Sequence, residues 1–300
     1  MCFINTIHTM ILSGIKLLNA LRGMWRHYVF VGQYTTNRNY GDALGVWLPK
    51  LLNINRGHIL PRRFVFDWQY TRGTNIQMVG STLGDVDEHS IVCGAGAVSS
   101  EQLPKAKPAK IISVRGPLTR DIFLSQGMDC PAVYGDPAML LPLFYTPINV
   151  KKRYKIGLIP HYVDKDAPGV RLLCQNPDIH LIDILLPPNR GLQTSIERYW
   201  KCWVDELCAC ECVISSSLHG LILAEAYHIP TLWATFSGNI NGGAFKYMDY
   251  YKSINIITPP HINFCCKQDI DTSFLIEQTT LKDTSAIDKV RYKHLLESVL

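Results

Sequence analysis

One stretch, residues 212–230, constrains the fold more than any other part of the chain. Residues 212–214 suit a buried parallel strand, three serines follow, and apolar residues then recur at helical spacing up to Ala226. A serine at the turn can cap this helix, whose first N–H groups can bind an anion. His219 lies in the first predicted turn. The stretch therefore predicts a phosphate or carboxylate site with a proton donor, although a capped helix with a packed histidine shows the same pattern.

Short apolar runs that alternate with helical patterns predict an α/β fold. The predicted strands are 28–32, 90–93, 110–115, 132–138, 155–161, 180–184, 212–214 and 231–234. The predicted helices include 118–123, 170–174, 194–209, the helix after the serines, and 284–300. Because this alternation occurs in both halves, we expect two parallel-sheet domains with ligand in the cleft between them. A polar segment at 146–153 sets their boundary near residue 150, and residues 54–77 show no interpretable pattern.

Composition excludes several classes of protein. The chain has 300 residues, 47% hydrophobic and 18% charged, so it can form folded cores and is not disordered. Its net charge of +5 is spread along the chain, which suits an anionic small ligand or a membrane surface rather than nucleic acid. The ten cysteines lack zinc-site and disulfide-framework spacing, so we expect no metal and free thiols in a reducing compartment.

The N-terminal segment, residues 3–21, is mildly apolar but interrupted by polar side chains. It is too polar for a spanning helix and lacks the basic start of a signal peptide. We therefore expect a cytoplasmic protein, with peripheral membrane association left open.

Several candidate site residues lie where predicted elements begin or end. Arg115 ends a strand at the edge where α/β sheets bind ligands, with a structural ion pair as the alternative. His161 ends another strand. Asn39 or Asp42 can cap the helix that follows the first strand. These positions predict a polar site at the carboxyl ends of the strands.

Seven short segments carry a resemblance to a known family. They are NYGDAL (39–44), CGAG (93–96), VRGPLT (114–119), GDPA (135–138), GLIPHY (157–162), SSSLHG (215–220) and FKYMDYY (245–251). In this order they resemble the polysaccharide pyruvyl transferase family, and most closely its bacterial exopolysaccharide branch. The resemblance implies a GT-B-like pair of Rossmann domains with the active site in the interdomain cleft. Residues 1–150 would form the acceptor side and 151–300 the donor side, with the last helix packed back on the N-terminal domain.

The resemblance also implies an enzyme that transfers pyruvate from phosphoenolpyruvate onto a sugar of a polysaccharide or oligosaccharide as a ketal. The donor carries a phosphate and a carboxylate, which need Arg, Lys or helix-end donors. Its alkene must gain a proton, and histidine suits that step near neutral pH. No cofactor is expected, since phosphoenolpyruvate is a co-substrate. The acceptor would be a glycan or a lipid-linked oligosaccharide.

By motif, the resemblance assigns roles to individual residues. The catalytic candidates are His219, Asp42 and His161. The donor-binding candidates are Arg115, Ser215, Ser216, Ser217, Gly220 and Lys246. The other cleft candidates are Asn39, Gly94 and Gly96.

Two other functions stay open at this point. Ser217 stands where many family members have Arg, which leaves one fewer anion clamp. The same cleft can then accept a nucleotide sugar, so a metal-independent GT-B glycosyltransferase is the alternative. A catalytically idle glycan-binding protein is the third hypothesis. The sequence predicts neither the acceptor sugar nor the oligomeric state.

Overall fold

A computed structural model describes residues 29–31, 39–52, 59–61, 74–186, 194–265 and 271–299. Within these ranges the strands form two five-stranded sheets, and every pairing is parallel. The first sheet has the order β2-β1-β3-β4-β5, from β1 (Val29–Val31), β2 (Ile59–Pro61), β3 (Asn75–Gln77), β4 (Ser90–Cys93) and β5 (Lys110–Ser113). The second has the order β10-β9-β8-β6-β7, from β6 (Tyr154–Ile159), β7 (Ile179–Leu181), β8 (Cys210–Ser215), β9 (Thr231–Thr235) and β10 (His261–Asn263). The predicted α/β class with parallel sheets is confirmed.

Helices connect the strands, and their first residues explain where several of them begin. They are α1 (Tyr40–Leu51), α2 (Pro117–Ser125), α3 (Pro168–Leu173), α4 (Thr194–Cys208), α5 (Leu218–Ala226), α6 (Phe245–Ser253), α7 (Thr272–Gln278) and α8 (Lys289–Val299). Asn39 caps α1 by accepting a hydrogen bond from the Gly41 N–H at 2.9 Å. Proline occupies the first position of α2, where no N–H is needed.

The core between the two sheets is built from helices of both halves. Tyr40 at the start of α1 stacks on Trp203 of α4 with ring centroids 4.3 Å apart, and its hydroxyl donates to the Trp200 carbonyl at 2.9 Å. At the other end of the chain, the Tyr292 hydroxyl of α8 donates to the Gly135 carbonyl at 2.8 Å. The last helix therefore contacts the half of the chain that carries the first sheet. The division at residue 150 stays a prediction.

Two segments differ from expectation. The segment 132–138, predicted as a short strand with a turn, has less strand than expected: it forms only a parallel bridge between Val114 and Tyr134, and a 3-10 helix begins at Pro137, because the prolines at 131 and 137 limit the strand on both sides. Residues 54–77, which showed no pattern, contain β2 and β3, whose three residues each are too few for a recognisable periodicity. The N-terminal segment 3–21 lies outside the described residues. None of the helices in the described ranges is both long and apolar enough to cross a bilayer.

Candidate active site

A cavity of about 210 Å³ lies where the loops that follow strands of the first sheet meet those of the second. Loops after β3 and β4 and the start of α1 form one wall, and loops after β6, β8 and β9 form the other. Parallel α/β sheets bind ligands at these carboxyl ends. Its lining residues are Asn39, Asp42, Gly80, Ser81, Val98, His161, Tyr162, Val163, Ser217, Leu218, His219, Asn239, Asn241 and Lys246. The structure therefore gathers six predicted site residues in one place: Asn39, Asp42, His161, Ser217, His219 and Lys246.

His219 lies in the first turn of α5 and is 8% exposed. Its Nε2 is 3.6 Å from Oδ2 of Asp136, which is completely buried. A Cβ at Gly41 would collide with the imidazole ring, so only glycine lets the start of α1 approach the ring this closely. Asp42, the next residue, is buried and lines the cavity. Two helix starts from different halves of the chain thus place a histidine and a carboxylate in one site.

Two basic groups of the cavity have strongly lowered pKa values. Burial lowers the pKa of the Lys246 ammonium to about 8, with repulsion from Arg115 adding to the shift and attraction to Asp42 and Asp164 opposing it. Burial lowers the pKa of His161 to about 3, with repulsion from Lys246 and His219 adding to it. Positive charge is therefore costly in the cavity, and an anion bound there would raise both pKa values.

Arg115 is the predicted site residue that the structure places most differently. It is completely buried and does not line the cavity, because its guanidinium pairs with Asp249 at 3.0 Å. Its Nη2 also donates to the Ala97 carbonyl at 2.6 Å, and its Nη1 donates to the Ser81 hydroxyl at 3.1 Å. Arg115 thus forms the structural ion pair that was the alternative, and it is linked to the cavity wall by its hydrogen bond to Ser81.

Two of the three serines are also engaged inside the protein. The Ser215 hydroxyl donates to the Ile159 carbonyl at 2.7 Å, and the Ser216 hydroxyl donates to Asp164 at 2.7 Å. Both residues are completely buried. Because these hydroxyls already have acceptors, only Ser217 of the three faces the cavity, at the N-cap position of α5.

The three predicted glycines serve close packing rather than the cavity wall. A Cβ at Gly220 would overlap Ser215, one at Gly96 would overlap the Arg115 guanidinium, and one at Gly94 would overlap Pro137. None of the three lines the cavity. These glycines let helix α5, the Arg115 guanidinium and Pro137 pack closely against the neighbouring backbone.

Comparison with known protein families identifies the family of part of the chain. Residues 91–236 match the family model described as polysaccharide pyruvyl transferase. These residues form a region of the polysaccharide pyruvyl transferase family. The family-matched range contains His161, Ser217 and His219 of the cavity, whereas Asp42 and Lys246 lie outside it.

Individual relatives extend the similarity beyond that range. The chain is 30% identical over 197 residues to an uncharacterised protein of Acanthamoeba polyphaga mimivirus, across 64% of each chain. It is 26% identical over 237 residues to the succinoglycan biosynthesis protein ExoV of Rhizobium meliloti, across 74% of this chain and 63% of ExoV. The matches thus span less than two thirds of either relative. A crystal structure of an uncharacterised Klebsiella pneumoniae protein is similar with a TM-score of 0.44 at 14% identity, across 79% of this chain and 93% of that one.

Several residues at or beside the candidate site were not predicted from the sequence. Asp136 and Asp249 lie inside segments that carried the resemblance, but each is a lone carboxylate whose partner is distant in sequence. Asn239 and Asn241 follow β9 in a polar loop rich in Asn and Gly. Their position after a buried parallel strand is the signal that would have found them.

Proposed function

We propose that the chain transfers pyruvate from phosphoenolpyruvate to a sugar of a polysaccharide or oligosaccharide as a ketal. The observation that carries the proposal is the cavity, which combines a buried lysine, a histidine and a carboxylate at the carboxyl ends of two parallel sheets. Its chemistry matches a small donor with two anionic groups and a hydroxyl acceptor. The family match over residues 91–236 supports the same reaction class, and the name of ExoV, a succinoglycan biosynthesis protein, supports a polysaccharide acceptor.

The reaction sets clear demands on the site. One sugar hydroxyl adds to C2 of the donor and gives its O–H proton to a base, while C3 gains a proton from an acid, which turns the methylene into a methyl group. The phosphate then leaves C2 with the electrons of its C–O bond. A second hydroxyl attacks the resulting cation and releases its proton, so the products are the cyclic ketal and inorganic phosphate. The site must therefore supply one acid, one base and an anion clamp.

We assign these tasks by position. His219 donates the proton to C3, because it is the cavity histidine with a carboxylate partner. His161 is neutral because burial lowers its pKa. The negative charge of a bound donor would raise that pKa and make His161 a stronger base, so it can accept a hydroxyl proton, as can the Asp42 carboxylate. Lys246 and the N–H groups at the start of α5, beside Ser217, bind the donor's charged groups.

The arrangement of the two substrates follows from the two walls. We propose a GT-B-like pair of domains, with the donor on the wall after β6, β8 and β9 and the glycan or lipid-linked oligosaccharide acceptor toward α1. A volume of about 210 Å³ suits phosphoenolpyruvate better than a nucleotide sugar, because sites for drug-sized ligands have about 300–1,000 Å³. Ser217 and Lys246 together would replace the Arg found in many family members.

Phosphoenolpyruvate should stabilise the folded protein. At a hundredfold excess over its Kd, the free energy of unfolding should rise by about 2.7 kcal/mol, because the donor binds only the folded state. A thermal-shift titration measures this, with a panel of nucleotide sugars alongside. A shift with one nucleotide sugar and none with phosphoenolpyruvate would replace this proposal by the glycosyltransferase alternative.

Donor affinity should fall as pH rises through about 8, the lowered pKa of Lys246. The ammonium loses its charge in that range, so Kd should increase by up to about tenfold per pH unit above it. Isothermal titration of phosphoenolpyruvate between pH 7 and 10 measures this slope. K246M should flatten it, whereas K252M, a matched change on the same helix outside the cavity lining, should keep it. An unchanged slope in K246M would remove Lys246 from the donor site.

A further inference from the structure

A buried carboxylate and a buried imidazole face each other behind the cavity. Oδ2 of Asp136 and Nε2 of His219 are 3.6 Å apart, slightly beyond hydrogen-bond length. Neither atom has a hydrogen-bond partner in the described part of the chain, and both are inaccessible to solvent. Buried polar atoms of this kind are costly unless they pair. A movement of a few tenths of an ångström would satisfy both at once.

The carboxylate of Asp136 is held in place from its other side. Its Oδ1 accepts a hydrogen bond from the Ala138 N–H at 2.9 Å, which caps the 3-10 helix Pro137–Leu143. That helix packs on α5, the helix that carries His219. The direction of Oδ2 toward the imidazole is therefore fixed by backbone rather than by a flexible side chain.

We propose that Asp136 is a positioning residue that holds a proton on Nε2 of His219 and thereby makes Nδ1 the nitrogen that exchanges protons with substrate. The proposal rests on the proposed function and deepens it. The Nδ1 edge of the ring contacts Gly41, and Asp42, the residue after Gly41, lines the cavity together with His219. In the acid step, Nδ1–H transfers its proton to C3 of the donor, the imidazolium becomes neutral, and Nε2–H keeps its bond to the Asp136 carboxylate.

His161 supplies the internal contrast. Its Nδ1 accepts a long hydrogen bond from the Val163 N–H at 3.4 Å. Within the described residues, no carboxylate pairs with the ring. Its neighbours with like charge are Lys246 and His219, and its pKa is lowered. The two cavity histidines thus have opposite surroundings, as expected for an acid and a base in one site.

The first test needs no substrate and uses the full chain with ¹⁵N-labelled histidine. Two-dimensional ¹⁵N–¹H spectra identify which ring nitrogen carries the proton when the imidazole is neutral. The signals of His219 are assigned by their loss in H219Q. We expect the Nε2–H tautomer. A neutral ring protonated on Nδ1 in the unaltered protein would overturn the proposal.

The second test is D136N, which keeps the cap because Asn caps helices as well as Asp does. The new amide would donate to Nε2, so the tautomer should change to Nδ1–H. We expect kcat to fall about 10- to 100-fold with the donor KM within twofold, a smaller loss than removal of the acid itself. D271N, the same change at the cap of α7, should alter neither quantity.

The outcomes separate this inference from the proposed function. Unchanged kcat or an unchanged tautomer in D136N overturns the role of Asp136. A lower melting temperature with normal kcat per folded molecule also overturns it, because it leaves Asp136 a purely structural cap. If the unaltered chain transfers no pyruvate, the ring spectra still decide whether Asp136 holds the imidazole, and only the proposed reaction fails.

Discussion

H219A should lower kcat for pyruvyl transfer by about 10²–10⁴ while the chain stays folded, since a positioned general acid contributes a factor of that size. His219 is the cavity histidine paired with a carboxylate, and removal of its ring leaves no equivalent donor beside Asp136. The binding of donor should change little, because Lys246 and the start of α5 remain. The expected signature is a loss in kcat rather than in KM.

Phosphate release from phosphoenolpyruvate measures the effect, with methyl hexopyranosides that carry two neighbouring free hydroxyls as acceptors. The matched control is H228N, an exposed histidine just beyond the end of the same helix, at φ 57°, a conformation that Asn adopts readily. H228N should keep full activity. Activity of H219A within a few-fold of the parent, or a loss explained by a lower unfolding temperature, would remove His219 from the acid role.

Much of the fold could be predicted because parallel strands that are buried on both faces appear in the sequence as short apolar runs. Strand β4 was predicted residue for residue, and α4 to within one residue. The runs are continuous and apolar because helices cover both faces of a parallel sheet. Strands of three residues, such as β2 and β3, carry too little pattern to be recognised.

The cavity residues could be predicted in part for the same reason. His161, Ser217 and His219 follow buried strands, and the carboxyl ends of parallel strands meet at one edge. What the sequence could not decide is which polar side chain at that edge faces ligand. Ser216 and Ser217 are neighbours of the same type, yet the first donates to Asp164 and the second lines the cavity. That choice depends on a carboxylate 52 residues away.

Arg115 is a second residue whose partner could not be predicted from the sequence, and here the partner changes the role expected of the residue. At the end of a strand it has the position of a donor clamp, but Asp249, 134 residues later, takes the guanidinium inside the protein. Asp249 also accepts hydrogen bonds from the N–H and the hydroxyl of Thr119, so one carboxylate joins α6 to the start of α2. The pair is buried completely on both sides. The structure therefore shows Arg115 in a buried ion pair, and its two interpretations, stability residue and donor clamp, predict different experimental results.

R115A should lower the free energy of unfolding by about 3–5 kcal/mol, because it leaves the Asp249 carboxylate buried without its charged partner. Urea denaturation followed by tryptophan fluorescence measures the change. R120M is the control: the Arg120 side chain of α2 donates a hydrogen bond to the Cys130 carbonyl, and its loss should lower the free energy of unfolding much less than R115A does. At a temperature where R115A is still folded, the Kd for phosphoenolpyruvate should stay within a few-fold of the parent. A donor affinity lost with normal stability would return Arg115 to the donor site.

A double-mutant cycle with D249N makes the distinction sharper. If the two side chains act mainly on each other, the double variant R115M/D249N should lose less free energy of unfolding than the two single variants together. The reason is that D249N removes the buried negative charge that R115M leaves without a partner. Additive losses would mean that Arg115 and Asp249 stabilise separate parts of the fold. Because Asp249 lies one helical turn after Lys246 on α6, a strong coupling would also mean that this ion pair fixes the helix that carries the cavity lysine. The guanidinium then serves the site by holding its wall rather than by touching the donor.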